Sequence, residues 1–204
     1  MILSFDASLP VLSAALVSAT SPVAATSFEG RESRNEKLLP AIEWLLRESG
    51  VERSSLRLIA VTRGPGSFTG VRIGLASAEG LSLALGIPIC AMPTHEAIAA
   101  GFPGRSVLVI NDAGRGEFYV AGYASGDETL PHAIASAAEV DALRAKFDLV
   151  VDARDAMWDR NVALLAARRA MEVEAAGRLE AYGDTTPIYV RLAEAEARLL
   201  ARNG

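Results

Sequence analysis

A chain of 204 residues, 50% of them hydrophobic, is long enough to bury a core of its own, which excludes disorder throughout and suits one large domain or two small lobes. Twenty basic residues against 25 acidic ones leave a net charge of -5, so no general basic field exists to hold a polyanion, and a nucleic acid would be met through a partner. The single cysteine, Cys90, excludes an internal disulfide framework and reads as a small buried hydrophobe in a reducing compartment.

The first apolar run carries Asp6 and has no basic residues before it, so it reads as the start of the mature chain and not as a secretory signal. No apolar run reaches the roughly 20 residues of a membrane helix, because Gly86 and Pro88 interrupt the best candidate. A cytoplasmic protein without membrane contact is expected. Three short strands, "ILSFD", "VLSAALVS" and "VAATSF", are separated by Pro- and Ser-bearing turns and form an antiparallel meander. "RNEKLLPAIEWLLRESG" then places Leu38, Leu39, Ile42, Leu45 and Leu46 at helical spacing, with Pro40 either in the first turn or kinking the helix. Next come the buried strand "LRLIAVT", the helix "SFTGVRIGLASAEGLSLALG", the strand "IPICAM" and a short helix "THEAIAAG" capped by Thr94.

"GFPGR" is a hinge candidate, after which "SVLVINDAGRGEFYVAGYASG" reads as a hairpin turning at "NDAGRG". A helix near 137–146, the strand "DLVVDA", a long helix near 159–182 and the stretch "PIYVRLAEAEARLLAR" complete the chain. Strands interleaved with helices make this an α/β protein, and each half opens with antiparallel strands, which divides it into lobes at 1–102 and 103–204, the second smaller and ending in a helical tail.

The glycine-rich "RGPGSFTGVRIG" at 63–74 invites a phosphate-cradle reading, which its spacing denies. Gly70 is followed by Val71 and Arg72, not by the Lys and Ser/Thr of a Walker loop, and Gly64, Gly66 and Gly70 miss the dinucleotide fingerprint by one position. On a helical projection Gly70, Gly74 and Ala78 form one row of small residues, and Ala76, Gly80 and Ala84 form the neighbouring one. Glycine inside a helix costs about 1 kcal/mol against alanine, so close packing is expected to offset it. The helix is apolar nearly all round and should be covered nearly all round, on one side by the sheet and on the other by a second protein or by a neighbouring helix of the same chain.

"FDAS" and "NDAGRGEFY" each put an acidic residue in a tight turn. Asp6, Ser8, Asn111, Asp112, Gly114 and Arg115 could therefore line a nucleotide site across a cleft, with Asp6 or Asp112 holding a metal-bound water. The bland alternative makes Asp6, Asn111 and Asp112 turn formers. His95 and His132 have no partners at ligand spacing, and His95 follows a helix cap. Ser67 sits where it caps a helix, and no nucleophile, base or metal set emerges.

"RGPGSFTGVRIGLASAEGLSLALGIPI", together with "ILSFDAS", "NDAGRGEFYVAGY" and "PIYVR" in the same order, resembles the bacterial TsaB (YeaZ) family over nearly the whole chain. The resemblance implies the actin-like, Hsp70-like (ASKHA) fold of two ribonuclease-H-like lobes. It further implies a non-catalytic accessory subunit in making threonylcarbamoyladenosine beside the tRNA anticodon. Such a subunit pairs with the catalytic paralogue TsaD and joins the ATPase TsaE; the acidic net charge leaves tRNA to be touched only indirectly, and self-burial of the same isologous surface is expected to give a homodimer when the chain is alone. Two positions depart from the family pattern: Arg34-Asn35 replaces a His-Ser or His-Thr pair, and Asp6-Ala7-Ser8 replaces Asp-Thr.

On this reading the partner surface is built from Leu38, Ile42 and Leu45 of one helix and Phe68, Gly70, Val71, Gly74 and Ala78 of the next, the glycines admitting close approach. No metal and no intrinsic cofactor are expected, ATP or ADP with magnesium belonging to the multi-subunit complex. The alternatives are a small ATP-dependent phosphotransferase using Asp6 and Asp112 with magnesium, and a peptidase, for which no catalytic set is found.

Overall fold

The computed structural model describes residues 1–29, 34–155 and 161–191, with 34 and 35 as backbone only. Strands β1 (Ile2–Asp6), β2 (Val11–Val17) and β3 (Pro22–Glu29) form the expected meander, followed by helix α1 (Arg34–Ser49), β4 (Leu58–Thr62), α2 (Phe68–Leu85), β5 (Ile89–Met92) and α3 (Thr94–Ala99). The second half runs β6 (Ser106–Gly114), β7 (Glu117–Ala124), β8 (Asp127–Ser136), α4 (Ala137–Arg144), β9 (Leu149–Asp152) and α5 (Val162–Ala175). The sheets are ordered β3-β2-β1-β4-β5 and β8-β7-β6-β9, and in each a three-stranded antiparallel unit continues through a parallel pairing, β1 with β4 and β6 with β9.

Alternation along the first sheet sends its side chains to two covered faces. Leu3, Phe5, Leu12, Ala14, Leu16, Ile59 and Val61 meet α1 and α2, whereas Ile2, Ala15, Val17, Leu58, Ala60, Cys90 and Met92 meet α3 and α5. The alanine row Ala163, Ala166, Ala167 and Ala170 lets α5 lie close against that second face. Residues 162–175 thus belong by packing to the first lobe, which corrects the division at 102/103. Val107, Val109, Ala121, Tyr123 and Val151 of the second sheet share one core with Leu9, Val11, Ile98 and Val162, so the lobes are joined through buried hydrophobic surface.

Several local expectations change. Pro40 lies beyond the first turn of α1. The hairpin turns at Arg115-Gly116, with φ of 61° and 76°, and not across "NDAGRG", because β6 continues to Gly114 past a bulge near Asp112. Strand β8, to which the sequence pattern assigned no element, pairs with β7. The helix expected at 159–182 is α5 plus a separate 3-10 turn at Leu179–Tyr182; residues 159 and 160 and the tail 192–204 lie outside the described residues. Pro93, not Thr94, stands at the cap of α3. Ser67 does cap α2, accepting from the Gly70 N-H at 3.3 Å.

Candidate functional site

The two helices expected to carry the partner surface lie side by side on the first sheet, and the structure divides their residues by direction. Leu38, Ile42, Leu45, Val71 and Ala78 are core residues, and Gly70 and Gly74 are buried with them. A Cβ on Gly74 would meet Val61 and Ala7 at ordinary contact distance, so this row of small residues admits the chain's own sheet, not a partner. These seven positions are therefore corrected to intramolecular packing. Among the eight residues expected there only Phe68 is exposed, at 44%.

The other small row faces outward. Ala76, Gly80 and Ala84 are exposed, and a Cβ on Gly80 would meet nothing within 4 Å. Leu83 beside them is 88% exposed, and on α1 Leu39 and Trp44 are exposed as well. The signal was the helical projection itself, which separates the two rows but does not say which of them meets the sheet.

The glycine-rich loop, the β1–β2 turn and the end of β6 enclose an interlobe cleft of about 530 Å³. Ser8, Ser67, Gly70, Asn111, Asp112 and Arg154 line it, so the two acidic turns do converge. Gly114 and Arg115 are not in its wall. The donors of a phosphate site are spent within the chain, however. Asp6 is fully buried and accepts from the Ser8 hydroxyl at 2.5 Å, the Ser8 N-H at 3.1 Å, the Leu9 N-H at 3.4 Å and the Thr62 hydroxyl. Burial raises its pKa, and those hydrogen bonds oppose the rise. The Gly114 N-H likewise turns back to Asp112 at 2.7 Å. Gly66 lies against the Ser8 carbonyl, and the Ser67 N-H donates to that oxygen at 2.7 Å. These hydrogen bonds make Asp6, Ser8 and Gly114 members of their own turns.

Between the lobes runs a buried polar seam that the sequence pattern missed. Three consecutive residues at the head of α3 each reach a different element. The Thr94 hydroxyl is 2.9 Å from that of Ser8; His95 Nε2 donates to Asn111 Oδ1 at 2.6 Å; Glu96 accepts from Arg169 Nε at 2.7 Å and from the Tyr182 hydroxyl. Arg169 on α5 also donates to Glu172 and, across the lobes, to the Gly126 carbonyl at 2.7 Å. His95 stacks on His132 of β8 with ring centres 5.2 Å apart. Burial first, then the neighbouring histidine, depresses the pKa of His95 to about 3; burial first, then Arg63, depresses that of His132 to about 4. The unfolded chain takes up protons near 6.5 that the folded chain refuses until about 4. Stability should accordingly fall as pH drops from 7 to 5, read as a lower urea midpoint, with a flatter dependence in His132→Asn.

Among the described residues no group of three or more His, Cys, Asp or Glu is placed to hold a metal ion, and no helix is long and apolar enough to cross a membrane.

Residues 30–166 match the family model described as TsaD, tRNA N6-adenosine threonylcarbamoyltransferase. The tRNA threonylcarbamoyladenosine biosynthesis protein TsaB of Bacillus subtilis is 35% identical over 125 residues, 60% of this chain and 54% of that protein. Its Escherichia coli counterpart is 36% identical over 101 residues, 48% of this chain and 44% of that protein. An uncharacterised Mycobacterium tuberculosis protein is 39% identical over 106 residues, 52% of this chain and 50% of its own length. The chain thus spans about half the length of the curated relatives it matches. The solved YeaZ of Pseudomonas aeruginosa superposes with a TM-score of 0.72 at 24% identity, covering 92% of this chain and 98% of that one. The two-lobed, actin-like (ASKHA) fold is shared with it.

Proposed function

This chain belongs to the tRNA N6-adenosine threonylcarbamoyltransferase (TsaD) family, on its TsaB (YeaZ) side, and on that premise we propose that it is a non-catalytic accessory subunit for threonylcarbamoyladenosine formation on tRNA in the cytoplasm. It docks a TsaD-type transferase on the outward face of α1 and α2 and holds that enzyme in its working arrangement. The observation that carries the reading is the exposed row Ala76, Gly80, Leu83 and Ala84 on α2, with Leu39 and Trp44 also exposed on the neighbouring α1. A large apolar side chain such as Leu83, left almost wholly in water beside small residues that permit close helix approach, is the composition of a buried interface core. A second copy meets the same face when the transferase is absent, since an isologous patch can cover itself.

The inward-turned donors at Asp6 and Asp112 support an accessory role over a phosphotransferase one. Nucleotide chemistry then belongs to the TsaE-type ATPase of the assembly, and tRNA is reached through the transferase. Leu83→Arg should abolish complex formation with a TsaD-type partner in sedimentation velocity while leaving the urea midpoint unchanged. A complex of undiminished affinity with this variant would overturn the proposed face.

A further inference from the structure

At the head of α2 the outward face ends in an aromatic and cationic cluster. Phe68 and Tyr189 are 44% and 40% exposed, with ring centres 5.3 Å apart and planes inclined by 32°. The Arg72 guanidinium lies 3.7 Å above the centre of the Phe68 ring, and its Nε donates to the Tyr189 hydroxyl at 2.8 Å. Tyr189 is itself held in place. The segment bearing it is tied to α2 by Thr185 donating to Glu79 at 2.6 Å, to the glycine-rich loop by Arg63–Asp184 at 2.9 Å and Ile188 N-H to Arg63 O at 2.8 Å, and to β7 by Arg191–Glu117.

Arg72 is thereby fixed at both its plane and its Nε, and among the described residues no carboxylate pairs with it. Among the described residues the terminal amino groups of its guanidinium have no hydrogen-bond acceptor, and they keep the fork geometry that suits a carboxylate. Glu79, the other charged residue facing outward from α2, already accepts from Thr185. Pre-ordering removes much of the entropy an exposed arginine would lose on binding, and arginine with tyrosine is a frequent composition of interface hot spots. The cluster is continuous along α2 with the face formed by Ala76, Gly80 and Leu83.

We propose that Phe68, Arg72 and Tyr189 form the polar anchor of that face, Arg72 taking the carboxylate of an acidic side chain on the partner protein while the two rings shield the pair from water. The proposal rests on the docking face assigned above and deepens it by naming the chemistry the partner must offer.

The test measures affinity of the full chain for a TsaD-type partner across salt from about 50 to about 500 mM, where exposed charges pass from weakly to strongly screened. Arg72→Gln should weaken binding by about tenfold or more at low salt and flatten the salt dependence, with the urea midpoint lowered only slightly by the lost contacts to Phe68 and Tyr189. Arg72→Lys should recover only part of the affinity, since an ammonium keeps the charge but not the fork or the stacking. Affinity of Arg72→Gln within about twofold of the parent, in the same assay where Leu83→Arg fails to bind, would overturn the anchor and leave the face standing. Undiminished binding of Leu83→Arg would remove the face and the anchor with it. If Arg72→Gln instead lost affinity for RNA alone while protein binding persisted, the acidic-partner assignment would also fail.

Discussion

Arg169→Met should lower the stability of the folded protein by about 3 to 5 kcal/mol, read from denaturant midpoints, because it leaves Glu96 buried without its counter-charge. The Arg169 side chain is 3% exposed and serves four acceptors on four segments: Glu96 of α3, Glu172 of its own helix, the Tyr182 hydroxyl and the Gly126 carbonyl in the β7–β8 turn. Gly126 has a φ of 83°, and a Cβ there would press into the guanidinium, so the turn approaches Arg169 as closely as backbone can. The loss should be uneven. Amide exchange at 125–128 should accelerate more than that of β1 and β4, since the hairpin loses its tie to the first lobe while the first sheet keeps both coverings. Equal acceleration everywhere would show that Arg169 contributes only to global stability and holds no lobe contact.

Gly66→Ala should be the most damaging single-methyl change in the glycine-rich loop. Its Cβ would overlap the Ser8 carbonyl oxygen and carbon, which are backbone and cannot rotate aside, so the loop or the β1–β2 turn must move. Overpacking of this kind costs about 1 to 3 kcal/mol. The displacement would also break the Ser67 N-H to Ser8 O bond and carry with it the cap that starts α2. Binding to a TsaD-type partner should weaken together with stability, in contrast to Leu83→Arg, which should affect binding alone. Gly80→Ala is the control: open space surrounds that position, so the monomer should be unchanged or slightly more stable.

Much of this architecture was legible in the sequence because it rests on local patterns. The meander of β1 to β3, the spacing of Leu38, Ile42 and Leu45, and the Ser67 cap each follow from period and turn chemistry. What escaped depends on which element meets which. Periodicity marks Gly70, Gly74 and Ala78 as one row without saying that the row meets Val61 of β4 and Ala7 just after β1, so it does not tell a packing face from a partner face. Strand β8 carries Pro131, and Ala135 is its one buried residue, which weakens its alternating signal. Thr94, His95 and Glu96 look like an ordinary helix start; their partners Ser8, Asn111 and Arg169 lie 86, 16 and 73 residues away, a relation no local window contains. The convergence of the two acidic turns on one cleft was readable from the repeated half-plan, whereas the inward turn of their donors was not.

The placement of α5 bears on how the molecule is made. Ile2, Ala15, Leu58, Ala60 and Met92 have been synthesised long before the helix that covers them, which follows the whole second sheet in the chain. On the ribosome the earlier half therefore emerges with one oily side of its sheet covered only by the short α3, and it can finish folding only after the later half has appeared. Nascent chains halted before residue 162 should consequently be clients for chaperones, not free-standing domains.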